Sequence, residues 1–175
     1  MARNIEIKAK AKDLERLAKR AADLADSGPE IVRQEDTFFR CPDGRLKLRA
    51  FPDGTGQLIY YRRPDAAGAK TSEYVVVPAA NVGRLGQALS AALGVQGLVR
   101  KTRTVYFVGH TRIHLDDVDG LGEFIELEVV LGPNESPEAG AAVAERLMNE
   151  LDIEQGDLIE CSYVDLLTGD LEEQT

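Results

Sequence analysis

Full charges recur at every second residue in several separate stretches of the chain. Glu6, Lys8 and Lys10 alternate with Ile5, Ile7 and Ala9; Lys47 and Arg49 alternate with Leu46 and Leu48; Lys101 shares a face with Arg103. Arg112, His114 and Asp116 alternate with Ile113 and Leu115, and Glu126 and Glu128 with Ile125, Leu127 and Val129. Successive side chains of an extended strand point to opposite faces, so each stretch has one ionised and one aliphatic face. A single half-exposed strand would read the same way. Taken together, the polar faces carry almost only full charges, with few of the Thr, Ser and Gln residues of an idle solvent face. With Arg62, the shared face holds eight cations (Lys8, Lys10, Lys47, Arg49, Arg62, Lys101, Arg103, Arg112) and four carboxylates (Glu6, Asp116, Glu126, Glu128), in a chain of net charge −9. Positive charge is therefore gathered in one place. Unpaired buried charges are costly, so such an interior must hold water, ions and a ligand. Arg and Lys match phosphate oxygens, by bidentate and point-charge contacts respectively. Carboxylates among them are hard oxygen ligands, which in a phosphate site imply Mg²⁺ or Mn²⁺. A triphosphate with a divalent metal meets both demands.

The elements that must position these charges can be read from periodicity and turn chemistry. Three helical stretches have start and stop signals. The first covers about Asp13 to Ala25, with Leu14, Leu17, Ala21 and Leu24 on one stripe and Ser27-Gly28-Pro29 ending it. The second has Asn81 as N-cap, Val82, Leu85, Leu89 and Ala92 as its stripe, and Gly94 just past its end. In the third, Ser136 caps, Pro137 fits the first turn, and Ala139, Val143, Leu147 and Leu151 form the stripe. All three stripes read as core. Between the helices, Pro42-Asp43-Gly44, Asp53-Gly54-Thr55-Gly56, Asp65-Ala66-Ala67-Gly68 and Asp119-Gly120-Leu121-Gly122 join strand-like runs by tight turns. The fold class is α+β: about eight antiparallel strands in a closed or nearly closed β-barrel, which removes sheet edges, with the helices packed outside. Helices on the outer aliphatic faces turn the charges into a tunnel. Residues 1–169 read as a single domain and 170–175 as a frayed, solvated acidic tail.

Composition sets the outer bounds. A chain of 175 residues, 43% hydrophobic and 29% charged, can bury a single core without disulfides or structural metal. Cys41 and Cys161 are far apart and in no metal-ligand spacing, so they read as structural or incidental. No run approaches the roughly 18 apolar residues of a membrane helix, and the N-terminus turns charged before a signal segment forms, which gives a cytoplasmic expectation with no membrane partner. The net negative charge repels polyanions, so nucleic acid is not an expected partner.

Asn4-Ile5-Glu6-Ile7-Lys8 resembles the ExExK signature of the CYTH family, the class IV adenylate cyclase and thiamine triphosphatase group. Gly44–Arg49, Leu58–Pro64, Val99–Arg103 and Phe124–Glu128 resemble its later basic and acidic strands in the same order. The resemblance spans about residues 3 to 167. It implies a triphosphate tunnel, an eight-stranded antiparallel barrel acting on nucleoside or inorganic triphosphates with a divalent metal. By resemblance, Glu6, Glu126 and Glu128 are metal carboxylates, joined by Asp116; Lys8 is a phosphate-contacting lysine; and Lys47, Arg49, Lys101, Arg103 and Arg112 are phosphate grips. As a cyclase of ATP, giving cyclic AMP and pyrophosphate, the tunnel would use Lys8 and Arg112 nearest the reacting phosphorus and Lys10, Lys47, Arg49, Arg62, Lys101 and Arg103 on the phosphates. The alternatives are a hydrolase of inorganic or thiamine triphosphate and a non-catalytic polyphosphate- or nucleotide-binding module. Asn4, where the signature begins with Glu, is neutral and a weaker ligand for a hard cation, and it favours the binding module. The cyclase branch implies a homodimer. His114 shares the inward parity and is either a hydrogen-bonded structural residue or a proton shuttle. Asp36 and Phe38 are either base contacts or core, and Arg62 is preferred over Arg63 for the inward face because its parity leaves Tyr61 and Arg63 outside.

Overall fold

The computed structural model describes residues 1–172, with side chains described through Gly169. Eight strands, β1 (Ala2–Lys10), β2 (Ser27–Phe39), β3 (Arg45–Ala50), β4 (Gly56–Arg62), β5 (Lys70–Ala79), β6 (Val95–Val108), β7 (Thr111–Val118) and β8 (Gly122–Leu131), form a closed antiparallel barrel. Around the ring the order is β1-β5-β4-β3-β2-β6-β7-β8, and β1 closes it by pairing with β8 from Arg3↔Leu131 to Lys10↔Phe124. Tight turns make most of the connections. At Gly44, between β2 and β3, φ is 71° and a Cβ would stand 2.7 Å from the Tyr61 carbonyl oxygen, so no larger residue fits.

Four helices accompany the barrel: α1 (Leu14–Leu24), α2 (Val82–Leu93), α3 (Pro137–Leu151) and α4 (Tyr163–Glu172). The caps are the expected ones. Asp13 accepts from Arg16 N, Asn81 from Arg84 N and Ser136 from Ala139 N. Leu17 and Ala21 of α1, with Ala144, Leu147, Met148 and Leu151 of α3, bury the outer aliphatic faces of β1, β7 and β8, where Ile5, Ile7, Ile113, Leu115, Ile125 and Leu127 lie. This packing fixes the strand parity: a one-residue slip would send these aliphatics into the interior.

α1 ends before Ser27-Gly28-Pro29 as expected, and β2 already starts at Ser27 and passes through them with an irregular register against β6. The structure departs from the sequence expectation in three other places. Of the α3 stripe, Val143, Leu147 and Leu151 reach the core, but Ala139 is exposed and Gly140 takes its place, where a Cβ would stand 2.6 Å from Leu131. No residue of α2 is fully buried, because that helix lies over β2 and β3 at the surface, so its stripe is not core. Finally, α4 runs into the expected acidic tail: Asp170–Glu172 continue the helix, and residues 173–175 lie outside the described residues. It packs its Tyr163 and Val164 with Phe38, Val99, Val118 and Phe124, so one barrel end is plugged by a small apolar cluster. Among the described residues no helix is long and apolar enough to cross a membrane.

Candidate active site

The barrel encloses a cavity of about 550 Å³. Seven cations (Lys8, Lys47, Arg49, Arg63, Lys101, Arg103, Arg112) and five carboxylates (Glu6, Glu30, Asp36, Glu126, Glu128) line it, a smaller positive excess than the sequence count. Inward parity on β1, β6, β7 and β8 is as the alternation requires. The charges sort into two walls.

The basic wall comes from β2, β3 and β6. Asp36 stands at its centre, buried, accepting from Lys47 Nζ at 2.9 Å and from Arg49 Nε and Nη2 at 2.8 Å each. Burial alone would raise the Asp36 pKa, but Arg49 and Lys47 hold it well below the usual carboxylate range. Asp36 thus orients two cations. Burial pushes Lys47 down and takes Lys101 to about 7, the latter helped by the neighbouring Arg103.

The second wall, from β1, β7 and β8, is acidic. Glu126 meets Lys8 Nζ at 3.0 Å and Arg103 Nη2 at 2.5 Å. Glu128 meets Arg112 Nη1 at 3.3 Å. Arg63 Nε approaches Glu6 Oε2 to 3.3 Å without hydrogen-bond alignment, and burial, with the charges of Glu126 and Glu128, raises the Glu6 pKa although Arg63 opposes it. Burial and Arg103 lower that of His114, which favours its neutral form. His114, Glu126 and Glu128 offer ligand atoms within 4.8 Å of one another. Buried acceptors without a hydrogen-bond partner face the same space: Asn4 Oδ1, Glu6 Oε2 and His114 Nδ1. A buried acceptor left bare is unfavourable, so these groups fit a cation or its water shell.

Three expected residues lie elsewhere. Arg62 points outward to Asp43 at 3.1 Å, while the Arg63 side chain is 3% exposed inside the tunnel. The pairing explains the reversal: Lys47 lies opposite Ile59 and Arg49 opposite Gln57, so odd-numbered β4 residues share the inward face and Tyr61 and Arg63 follow them. Lys10 has the inward parity but sits beyond the plug, donating to the Leu121 carbonyl at 2.7 Å with Nζ 4.4 Å from the Phe124 ring centre. Asp116 is fully buried behind the wall and stands outside the metal-ligand group. Both its oxygens are engaged by Arg103, at 2.6 and 2.5 Å, and the Tyr163 hydroxyl donates to it at 2.9 Å. It positions Arg103 and lies outside the group of His114, Glu126 and Glu128.

Tyr163 was not foreseen. The Nζ of Lys8 lies 3.8 Å, and that of Lys101 4.9 Å, from its ring centre, so the plug supplies an aromatic floor for two tunnel cations. A weak signal preceded it: Ser162 and Asp165 have capping-box spacing, and Ser162 Oγ donates to Asp165 at 2.6 Å. Lys70 and Arg45 fix the plug in place, Lys70 by donating to the Ile159 and Glu160 carbonyls and Arg45 by pairing with Asp165 at 2.8 Å.

The CYTH domain family matches residues 2–163 of the chain. The chain belongs to the CYTH family. No curated protein matches it in sequence. Among solved structures, the CYTH fold here is similar to the PH1012 protein of Pyrococcus horikoshii, with 22% identity, TM-score 0.81, and 93% of this chain and 98% of that one covered. It is also similar to a Hippeastrum protein, a candidate adenylyl cyclase described as having a dominant triphosphatase activity (16% identity, TM-score 0.68, 97% and 96% covered). The Pct1 RNA triphosphatase of Schizosaccharomyces pombe shares the fold at 12% identity and TM-score 0.57, with 91% of this chain and 87% of that one covered.

Proposed function

We propose that this CYTH protein is a metal-dependent enzyme that admits a nucleoside triphosphate, phosphates first, and converts ATP to cyclic AMP and pyrophosphate. One observation carries the reading: the order of groups along the tunnel. Val105, His114, Glu126 and Lys8 share one pairing row of the sheet. Arg103, Asp116 and Phe124 form the next row toward the plug, and Lys101 lies a further row down, opposite Val118. On the other side, toward the open end, Phe107, Arg112, Glu128 and Glu6 form the next row. A triphosphate entering from that end meets deep cations with its outer phosphates and the acidic group with its α-phosphate. The Phe107 ring at that row suits an aromatic base.

In this reading Lys47, Arg49, Lys101, Arg103 and Arg63 hold the β- and γ-phosphates that depart as pyrophosphate. Lys8 and Arg112 neutralise charge nearer the α-phosphorus. The ribose 3′-oxygen bonds to that phosphorus, the bridge to the β-phosphate breaks, and the hydroxyl proton is lost. Glu126 and Glu128, with Glu6 beside them, would hold the divalent cation, Mg²⁺ or Mn²⁺. When bound, that cation supplies Lewis-acid polarisation of phosphate oxygens and acidifies the attacking hydroxyl. Positioning and charge stabilisation supply most of the acceleration.

The test is product analysis by chromatography after incubation with ATP and Mg²⁺ or Mn²⁺. Cyclic AMP with an equal amount of pyrophosphate supports the proposal; orthophosphate identifies a hydrolase, and binding without turnover a nucleotide-binding module. The hydrolase reading has one observation in its favour, the triphosphatase activity ascribed to the similar Hippeastrum protein.

A further inference from the structure

His114 is out of place in a phosphate tunnel if its role is only structural. It is 4% exposed on β7, between Arg112 and Asp116, with its ring turned into the cavity. Its Nδ1 is buried with no hydrogen-bond partner. Nδ1 stands 3.6 Å from Glu126 Oε2, and Nε2 stands 3.9 Å from Glu128 Oε2. Both separations exceed a hydrogen bond. Only one ring nitrogen can face a given cation, and one His114 nitrogen with one oxygen each of Glu126 and Glu128 lie within 4.8 Å of one another, close enough to share a dication. With its proton on Nε2, the imidazole would aim the Nδ1 lone pair at a carboxylate, an arrangement that a positive charge between them resolves.

Resting on the reading of this tunnel as a metal site, we infer that His114 is a nitrogen ligand beside Glu126 and Glu128, and that the site prefers a first-row transition-metal dication over Mg²⁺. Mg²⁺ favours an all-oxygen octahedron, whereas imidazole suits the later transition metals. The neighbours reinforce the bias. Asn4 brings a neutral amide oxygen to the tunnel, and Asp116, two residues along β7, is taken up by Arg103 and Tyr163. The imidazole nitrogen is thus the donor at this site that separates a transition-metal dication from Mg²⁺. Lys8 and Arg103, which contact Glu126 in the metal-free arrangement, would then be released to phosphate.

The test is carried out on the whole protein without nucleotide. Mn²⁺ is added and pulsed electron paramagnetic resonance is used to look for ¹⁴N coupling; separately, Co²⁺ and Mg²⁺ affinities are measured by titration calorimetry. The inference expects nitrogen coupling in the wild type, lost in both His114→Gln and His114→Asp. It also expects Co²⁺ to bind at least about 100-fold tighter than Mg²⁺, a preference falling about tenfold or more in His114→Asp. Circular dichroism of both variants establishes folding, and two substitutions keep the test valid if one fails. Bound Mn²⁺ without nitrogen coupling, lost in Glu126→Gln, overturns the ligand role of His114 while leaving the metal reading intact. Absence of any dication binding overturns both.

Discussion

Asp36 and Asp116 lie behind the cations and aim them: each accepts two hydrogen bonds from one arginine, and neither is accessible to a phosphate. Asp116→Asn should therefore weaken tripolyphosphate binding about tenfold or more by loosening Arg103, yet leave the Co²⁺ dissociation constant within about twofold; calorimetry reads both. The division matters because a carboxylate that holds a guanidinium by both oxygens fixes the direction of that cation. Lys101 gives a second residue-level prediction. Its pKa of about 7 lies below the ordinary lysine value because burial and Arg103 disfavour the charged form. A bound triphosphate favours that form. At pH 8 metal-free tripolyphosphate binding should then take up protons, and affinity should fall as pH rises above 7. Calorimetry in buffers of different ionisation enthalpy measures the uptake, which should vanish in Lys101→Met.

At the scale of elements, the barrel depends on two unlike seams. Helices α1 and α3 pack the outside of β1, β7 and β8, and Leu147→Ala should cost about 2–5 kcal/mol in a urea titration. The plug is as tight as the α3 seam. A Cβ at Gly97 of β6 would meet Val164 Cγ2 at 2.6 Å, so Gly97→Ala should destabilise by about 1–3 kcal/mol and shift the Tyr163 floor, weakening triphosphate binding as well. Legibility followed these seams. Where α1 and α3 bury one face of a strand, as on β1, β7 and β8, alternation alone placed Glu6, Lys8, Glu126 and Glu128 correctly. On β4 no helix imposes a parity, both faces carry Tyr and Arg, and Arg62 was preferred to Arg63; the pairing with β3 resolves it. Helix α4 escaped notice because Tyr163 and Val164 pack on a barrel end and leave no long apolar stripe. The reverse happened in α2, whose stripe is periodic but lies at the surface.

For the molecule as a whole, concentrating cations within a chain of net charge −9 has an energetic consequence. Ion pairs such as Lys47–Asp36 and Lys8–Glu126 offset part of the repulsion, and a polyanion supplies the rest. Tripolyphosphate at 100 times its dissociation constant should raise unfolding free energy by about 2.7 kcal/mol, a shift of roughly 5–10 °C in Tm. Equimolar sulfate should give much less, since one tetrahedral anion cannot span the deep cations and the acidic row together. The central claim concerns orientation: phosphates toward Tyr163, base at the Phe107 mouth, dication against Glu126 and Glu128. A crystal structure with α,β-methylene-ATP and Mn²⁺ tests it most directly. The account predicts an anomalous Mn²⁺ peak beside Glu126 and Glu128, with the γ-phosphate near Lys47 and Lys101. A nucleotide bound with its base against the plug, or outside the barrel, would contradict it.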